Sequence, residues 1–157
     1  MDYLIARPNI KSGDVIAFRG HGLFCWAIRA VTRSQWSHVA LAWVVGERVL
    51  LIESRASRMG VTIDRPLSTA GACTWIPTGA AWGVWPESVA LDALGIAYGW
   101  LDVFRAAGGL SPRNRGLHCA EYVADVLAAA GVKWPDDWCP TPAGVVARFP
   151  VGIKMEP

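Results

Sequence analysis

Two apolar runs, Ser37 to Val45 and Arg48 to Ser54, are separated by only Gly46 and Glu47, and that spacing constrains the fold more than any other feature of the chain. Both runs suit a pleated, half-buried surface, and glycine at the first central position fits a two-residue hairpin turn. Such a turn pairs residues whose numbers sum to 93, so Ala40 faces Glu53 and His38 faces Arg55. Because side chains alternate across a strand, His38 and Glu53 project from one face as diagonal neighbours, about 7–8 Å apart at Cα and closer at their tips. A carboxylate reaches an imidazole from there. Ala40 and Ala42 lie on the same face, and their small side chains predict room above the sheet.

A neutral imidazole held by a carboxylate through one ring nitrogen keeps the other free to take a proton. Glu53 follows the apolar run Leu50-Leu51-Ile52, where an unpartnered carboxylate would be costly. Its nearest candidates are His38 and Arg55, the second giving no more than an ion pair at a sheet edge. Cys119 is the matching nucleophile. It opens a helical stretch to Ala130, with Ala120, Val123, Ala124 and Leu127 on one face and Gly131 as its stop. The amides and dipole of a helix start favour a thiolate, an imidazolium lowers the thiol pKa further, and the same amides can donate to an oxyanion.

A cysteine at a helix start is also commonly a small buried hydrophobe, and a histidine on a half-buried strand is commonly structural. Cys25 is the rival nucleophile, lying near the start of the helical pattern Phe24 to Arg33, but Phe24 and Trp26 flank it and predict a core position. Cys73 falls in strand-like sequence and Cys139 in a proline-rich tail. His118, adjacent to Cys119, points elsewhere at a helix start and reads as a loop residue or a secondary contact.

Further elements are a strand at Asp14 to Phe18, one or two strands within Val61 to Pro77, a loop rich in Trp, Gly and Ala from Gly79 to Pro86, and a helix from Glu87 to about Ala107. A polar loop from Gly108 to Gly116 follows, and the tail carrying five of the ten prolines is expected to be mostly irregular. Helices beside a small antiparallel sheet make an α+β class, in one domain over residues 1–157.

With 53% hydrophobic and 18% charged residues the chain is built to bury a core, not to stay disordered. Its net charge of +2 is spread too thinly for a nucleic-acid footprint. No run reaches the roughly 18 apolar residues of a membrane span, and no signal peptide opens the chain, so cytoplasmic synthesis is expected, with carriage by a phage particle or a secretion machine left open. The four cysteines form no Cys-x-x-Cys pair, which signals neither a zinc ribbon nor a disulfide framework. No metal and no cofactor are expected, and nothing in the sequence sets the oligomeric state.

The segments Gly13-Asp14-Val15-Ile16-Ala17-Phe18, Thr32-Arg33-Ser34-Gln35-Trp36-Ser37-His38-Val39-Ala40-Leu41, Leu51-Ile52-Glu53-Ser54 and Leu117-His118-Cys119-Ala120-Glu121-Tyr122-Val123 resemble the permuted branch of the NlpC-type cell-wall peptidases. This is the YiiX/YebB-like group related to lecithin retinol acyltransferase. The resemblance runs from about Ser12 to Gly131, with the His preceding the Cys as permutation of a papain-like core implies. It departs at Ala120, where serine is common in the family. The resemblance implies Cys119 as nucleophile, His38 as base and Glu53 as the third polar residue, and matches Tyr98 to a tyrosine upstream of the nucleophile. Ser37 is also expected at the substrate, as is Trp36, which with Trp82 and Trp85 falls in a predicted loop or strand start where it can wall a groove, ordinary packing being the commoner role. The resemblance also implies acyl transfer on a peptide or amide bond, peptidoglycan peptides first. A lipid acyl substrate, or a catalytically silent glycan- or peptide-binding module, are the alternatives.

Overall fold

The computed structural model describes residues 1–99, 105, 116–136 and 138–156. Its centre is a six-stranded sheet in which every neighbouring pair is antiparallel. In chain order the strands are β1 (Val15–Phe18), β2 (His38–Val45), β3 (Arg48–Arg55), β4 (Gly60–Pro66), β5 (Cys73–Ile76) and β6 (Ile153–Met155). They lie side by side as β4-β3-β2-β1-β5-β6. The helices are α1 (Tyr3–Ala6), α2 (Leu23–Thr32), α3 (Val84–Asp92), α4 (Cys119–Ala129) and α5 (Pro142–Ala147). The class is α+β, as expected.

The hairpin forms in the expected register: Leu41 pairs with Ile52, Ala42 with Leu51 and Val45 with Arg48. Gly46 adopts φ 57°, a left-handed conformation that a Cβ would disfavour. β1 joins the other side of β2, placing Phe18 opposite His38. Asp14, just before β1, is buried and accepts hydrogen bonds from the Lys11 amide (2.9 Å), the Trp75 indole (2.9 Å) and the Thr78 amide (3.1 Å). One carboxylate thereby ties the start of β1 to β5 and the turn beyond it.

The sheet is covered on both faces. One core layer contains Val39, Leu41 and Ile52 packed with Tyr122, Val123, Val126 and Leu127 of α4. Full burial of each such aliphatic side chain stabilises by roughly 1.5–3 kcal/mol. The other layer joins Ile16, Ala40, Ala42 and Leu51 to Ala6, Leu67, Trp75 and Met155. The space expected above Ala40 and Ala42 is therefore filled, and both alanines are fully buried.

Two expected elements differ. The helix expected from Glu87 to about Ala107 is interrupted: Val84–Asp92 is helical, and residues 100–104 and 106–107 of that expectation lie outside the described residues. The chain turns at Gly95 (φ 83°), and Ile96 to Gly99 then run as extended backbone. Gly95 donates to the Val61 carbonyl (3.0 Å), Val61 to Ile96 (2.9 Å) and Tyr98 to Met59 (2.9 Å). Pairing with the β4 edge satisfies amides that a continued helix would have bonded internally. Most of the Gly108 to Gly116 loop lies outside the described residues. The tail is more ordered than its prolines suggest, because Thr141 caps α5 through the Gly144 amide (3.0 Å) with Pro142 in the first turn, and Ile153–Met155 adds an edge strand to β5.

The Ile96–Gly99 segment also holds the approach to α4. Leu117 donates to the Ala97 carbonyl (2.9 Å), and its own carbonyl accepts from the Ser54 hydroxyl (2.6 Å) and the Gly99 amide (3.3 Å). A Cβ on Gly116 would lie 2.8 Å from the Ala97 oxygen and 2.8 Å from the Gly99 nitrogen. Gly116→Ala is therefore expected to destabilise the fold by roughly 1–3 kcal/mol in urea titration, the backbone on both sides being fixed.

Candidate active site

Cys119, His38 and Glu53 come together at one end of the sheet. His38 opens β2, Glu53 lies on β3 one residue beyond the last regular β2–β3 pair, Leu41 with Ile52, and Cys119 is the first residue of α4, which packs across both strands. The His38 Nε2 is in direct contact with the Glu53 Oε2. Glu53 is fully buried. Its other oxygen has the Arg55 Nη1 at 3.7 Å and no hydrogen-bond donor among the described residues. Arg55 is engaged chiefly with Asp64, so the ion-pair alternative for Glu53 is the weaker of its two contacts.

With Nε2 committed to Glu53, Nδ1 is the ring nitrogen left for the thiol, and His38 and Cys119 are near enough for each to displace the other's pKa. Burial alone would push the Cys119 thiol up, but the charge of His38, with hydrogen bonds from His118 and His38, reverses this and brings it down to about 6. Burial likewise disfavours the His38 imidazolium, yet the Cys119 charge and hydrogen bond, followed by those of Glu53, raise it to about 10. Between those values the pair exists as thiolate and imidazolium.

His118 does more than its expected loop role. It is the N-cap of α4: its Nδ1 accepts from the Ala120 amide (3.2 Å), and Glu121 accepts from the His118 amide (3.0 Å) in a reciprocal capping arrangement. An accepting Nδ1 puts the neutral ring's proton on Nε2, which lies 3.4 Å from the Glu121 carboxylate. The cap also occupies the Ala120 amide, narrowing the set of helix-start donors open to an oxyanion. A histidine followed three residues later by glutamate was the available signal, although serine, threonine or aspartate is the commoner residue at that position.

A cavity of about 600 Å³ opens beside this cluster. His38 forms part of its wall, together with Phe18, Ser37, Phe24, Tyr98 and the Arg19–His21 loop. Cys119 does not line it; only 3% exposed, it faces a small crevice among Tyr98, His118 and Pro140 to Pro142. Tyr98 borders both spaces, and burial followed by the nearby Cys119, Cys25 and Glu121 charges keeps its phenol protonated.

Of the three residues expected at a substrate, Ser37 and Tyr98 line the cavity. Trp36 instead packs against the main core. Trp82 is packed beneath Gly13 and Trp85 is exposed in the first turn of α3; neither borders the cavity. Cys25 is not a core residue: half-buried, it forms part of the cavity wall. A Cβ on Gly20 would sit 2.6 Å from its sulfur and 3.0 Å from the Ser37 hydroxyl, and that glycine lets both side chains close on the loop.

No protein-family model and no curated protein matches the chain. Among the described residues no helix is long and apolar enough to cross a membrane. Local chemistry therefore carries the functional argument. Alkylation of Cys119 by iodoacetamide, followed by peptide mass spectrometry, is expected to be half-maximal near pH 6. His38→Ala is expected to slow it at pH 7 by roughly 10- to 100-fold, as the buried thiol recovers its proton.

Proposed function

We propose that this chain is a cysteine hydrolase of the permuted papain-like kind, acting by acyl transfer on peptide or amide bonds, with peptidoglycan peptides as the first substrate class. The observation that carries this reading is the His38 imidazole held by a fully buried carboxylate at the end of the sheet where Cys119 begins α4. A purely structural cysteine has no need of that arrangement.

In the proposed mechanism the Cys119 thiolate attacks the scissile carbonyl, and the Cys119 amide at the start of α4 steadies the oxyanion. His38 then gives its proton to the departing amine, leaving a thioester. With the imidazole neutral, it takes a proton from water as the water attacks, and collapse of the second intermediate releases the acid and restores the ion pair. Glu53 orients the ring and stabilises its charged form.

The enclosure of Cys119 favours one other reading, a silent module that holds a peptide or glycan in the adjacent cavity. Turnover of a peptidoglycan digest, followed by liquid chromatography of the released peptides, separates the two. Cys119→Ala should abolish turnover with the circular dichroism spectrum unchanged; undiminished turnover in that variant would remove the assignment. Glu53→Gln should lower kcat by roughly a hundredfold or more, and an unchanged rate would move the orienting role elsewhere. The rate should rise with pH as Cys119 loses its proton near 6 and fall as His38 loses its own near 10.

A further inference from the structure

The cavity beside His38 carries a charge pattern that the catalytic residues do not require. Its wall includes Arg19, Arg55 and Arg65 and no aspartate or glutamate among the described residues. The nearest compensating carboxylate, Asp64, is shared: it pairs with Arg55, accepts from the Arg58 Nε at 2.8 Å, and lies 4.0 Å from the Arg65 Nε. Burial works against its ionisation, but the Arg55 and Arg58 contacts outweigh that and hold its carboxyl below the usual carboxylate range. Apart from Glu53, which is engaged by His38 and lies 3.7 Å from Arg55, one carboxylate thus stands against the guanidiniums of Arg55, Arg58 and Arg65, and Arg19 has no acidic partner among the described residues.

Arg65 is the informative member. Its Nε is buried without a hydrogen-bond acceptor, and its guanidinium stands 5.8 Å from the centre of the Phe18 ring. Phe18 in turn lies 5.8 Å from the His38 ring. Stacking on an aromatic face holds a guanidinium in place while leaving its edge donors free. The guanidinium is therefore positioned one aromatic ring away from the catalytic base, in a space large enough for several atoms of substrate.

We infer that this cavity is an anion-binding subsite, in which Arg65 and Arg19 receive a carboxylate or phosphate carried by the substrate close to its scissile acyl group. This deepens the hydrolase reading and rests on it for the word substrate. The arginines belong to β4 and to the loop after β1, so the anionic group would enter from the side of His38, across the Phe18 ring. The fork of a guanidinium suits a planar carboxylate in particular.

Cys25 lies in the cavity wall and reports on the field there without depending on catalysis. Iodoacetate and iodoacetamide would be compared on the full-length protein at one pH, with each cysteine read separately by mass spectrometry and half-buried Cys139, outside the cavity, as the internal reference. The expected result is an iodoacetate preference at Cys25 about tenfold above that at Cys139, as two or three nearby cations would produce. The preference should fall severalfold in Arg19→Gln, a substitution at an exposed residue, and in Arg65→Gln, and should be largely restored in Arg65→Lys. Protection of Cys25 by glutarate but not glutaramide would identify a carboxylate site, and protection by inorganic phosphate alone would identify a phosphate site. Equal preference at Cys25 and Cys139, or a preference unchanged in both arginine variants, overturns the subsite whatever Cys119 does. An ordinary alkylation profile at Cys119 with the Cys25 preference intact would instead overturn the hydrolase reading and leave an anion-binding cavity.

Discussion

The contact between the Glu53 carboxylate and the His38 imidazole is the constraint around which this end of the molecule is arranged. A carboxylate with no solvent exposure must meet a cation or a set of donors, since leaving it alone would cost several kcal/mol. The register of β2 against β3 supplies the imidazole, and Arg55 stands second at 3.7 Å. Once that contact is made, the ring can present only Nδ1 to the rest of the protein. Everything that approaches Nδ1 inherits a base whose charged form is already favoured.

Cys119 is brought to that nitrogen by backbone as much as by its helix. Ser54, the residue after Glu53, donates to the Leu117 carbonyl at 2.6 Å, and Leu117 donates to Ala97. The strand carrying the carboxylate thus also holds the segment carrying Cys119. Gly116 admits the crossing because the backbone of Ala97 and Gly99 occupies the place of a side chain. Small shifts in this clamp would change the separation of thiol and imidazole, on which both displaced pKa values depend.

The cavity and the thiol occupy different spaces, with His38 facing the first and Tyr98 bordering both. In the proposed hydrolysis, binding and bond cleavage would meet at the imidazole and the phenol. A ligand held by the arginines of the cavity wall would have to pass Tyr98 to reach the sulfur. The electrostatics are graded across His38, from guanidiniums in the cavity wall on one side to the Cys119 thiol and the Glu53 carboxylate, which lie outside that wall.

Much of this was legible in the chain itself. A two-residue turn at Gly46-Glu47 leaves one register, and a period of two then puts His38 and Glu53 on one face; these are local rules that need no partner element. The apolar spacing after Cys119 marked α4 for the same reason. The filling of the space above Ala40 and Ala42 was not legible, because it depends on Leu67, Trp75 and Met155 arriving from distant segments. Nor was the end of α3, where pairing of Ile96–Gly99 with β4 overrode a helical pattern. Cys25 read as core from its aromatic neighbours, yet the fold turns it into the cavity wall. Sequence determined which residues could be paired along adjacent strands and which would start a helix, since those depend on spacing alone. Only the tertiary structure decided which surfaces were covered, which buried charges shared a partner and where space remained, because those depend on segments whose separation along the chain carries no information about their distance in space.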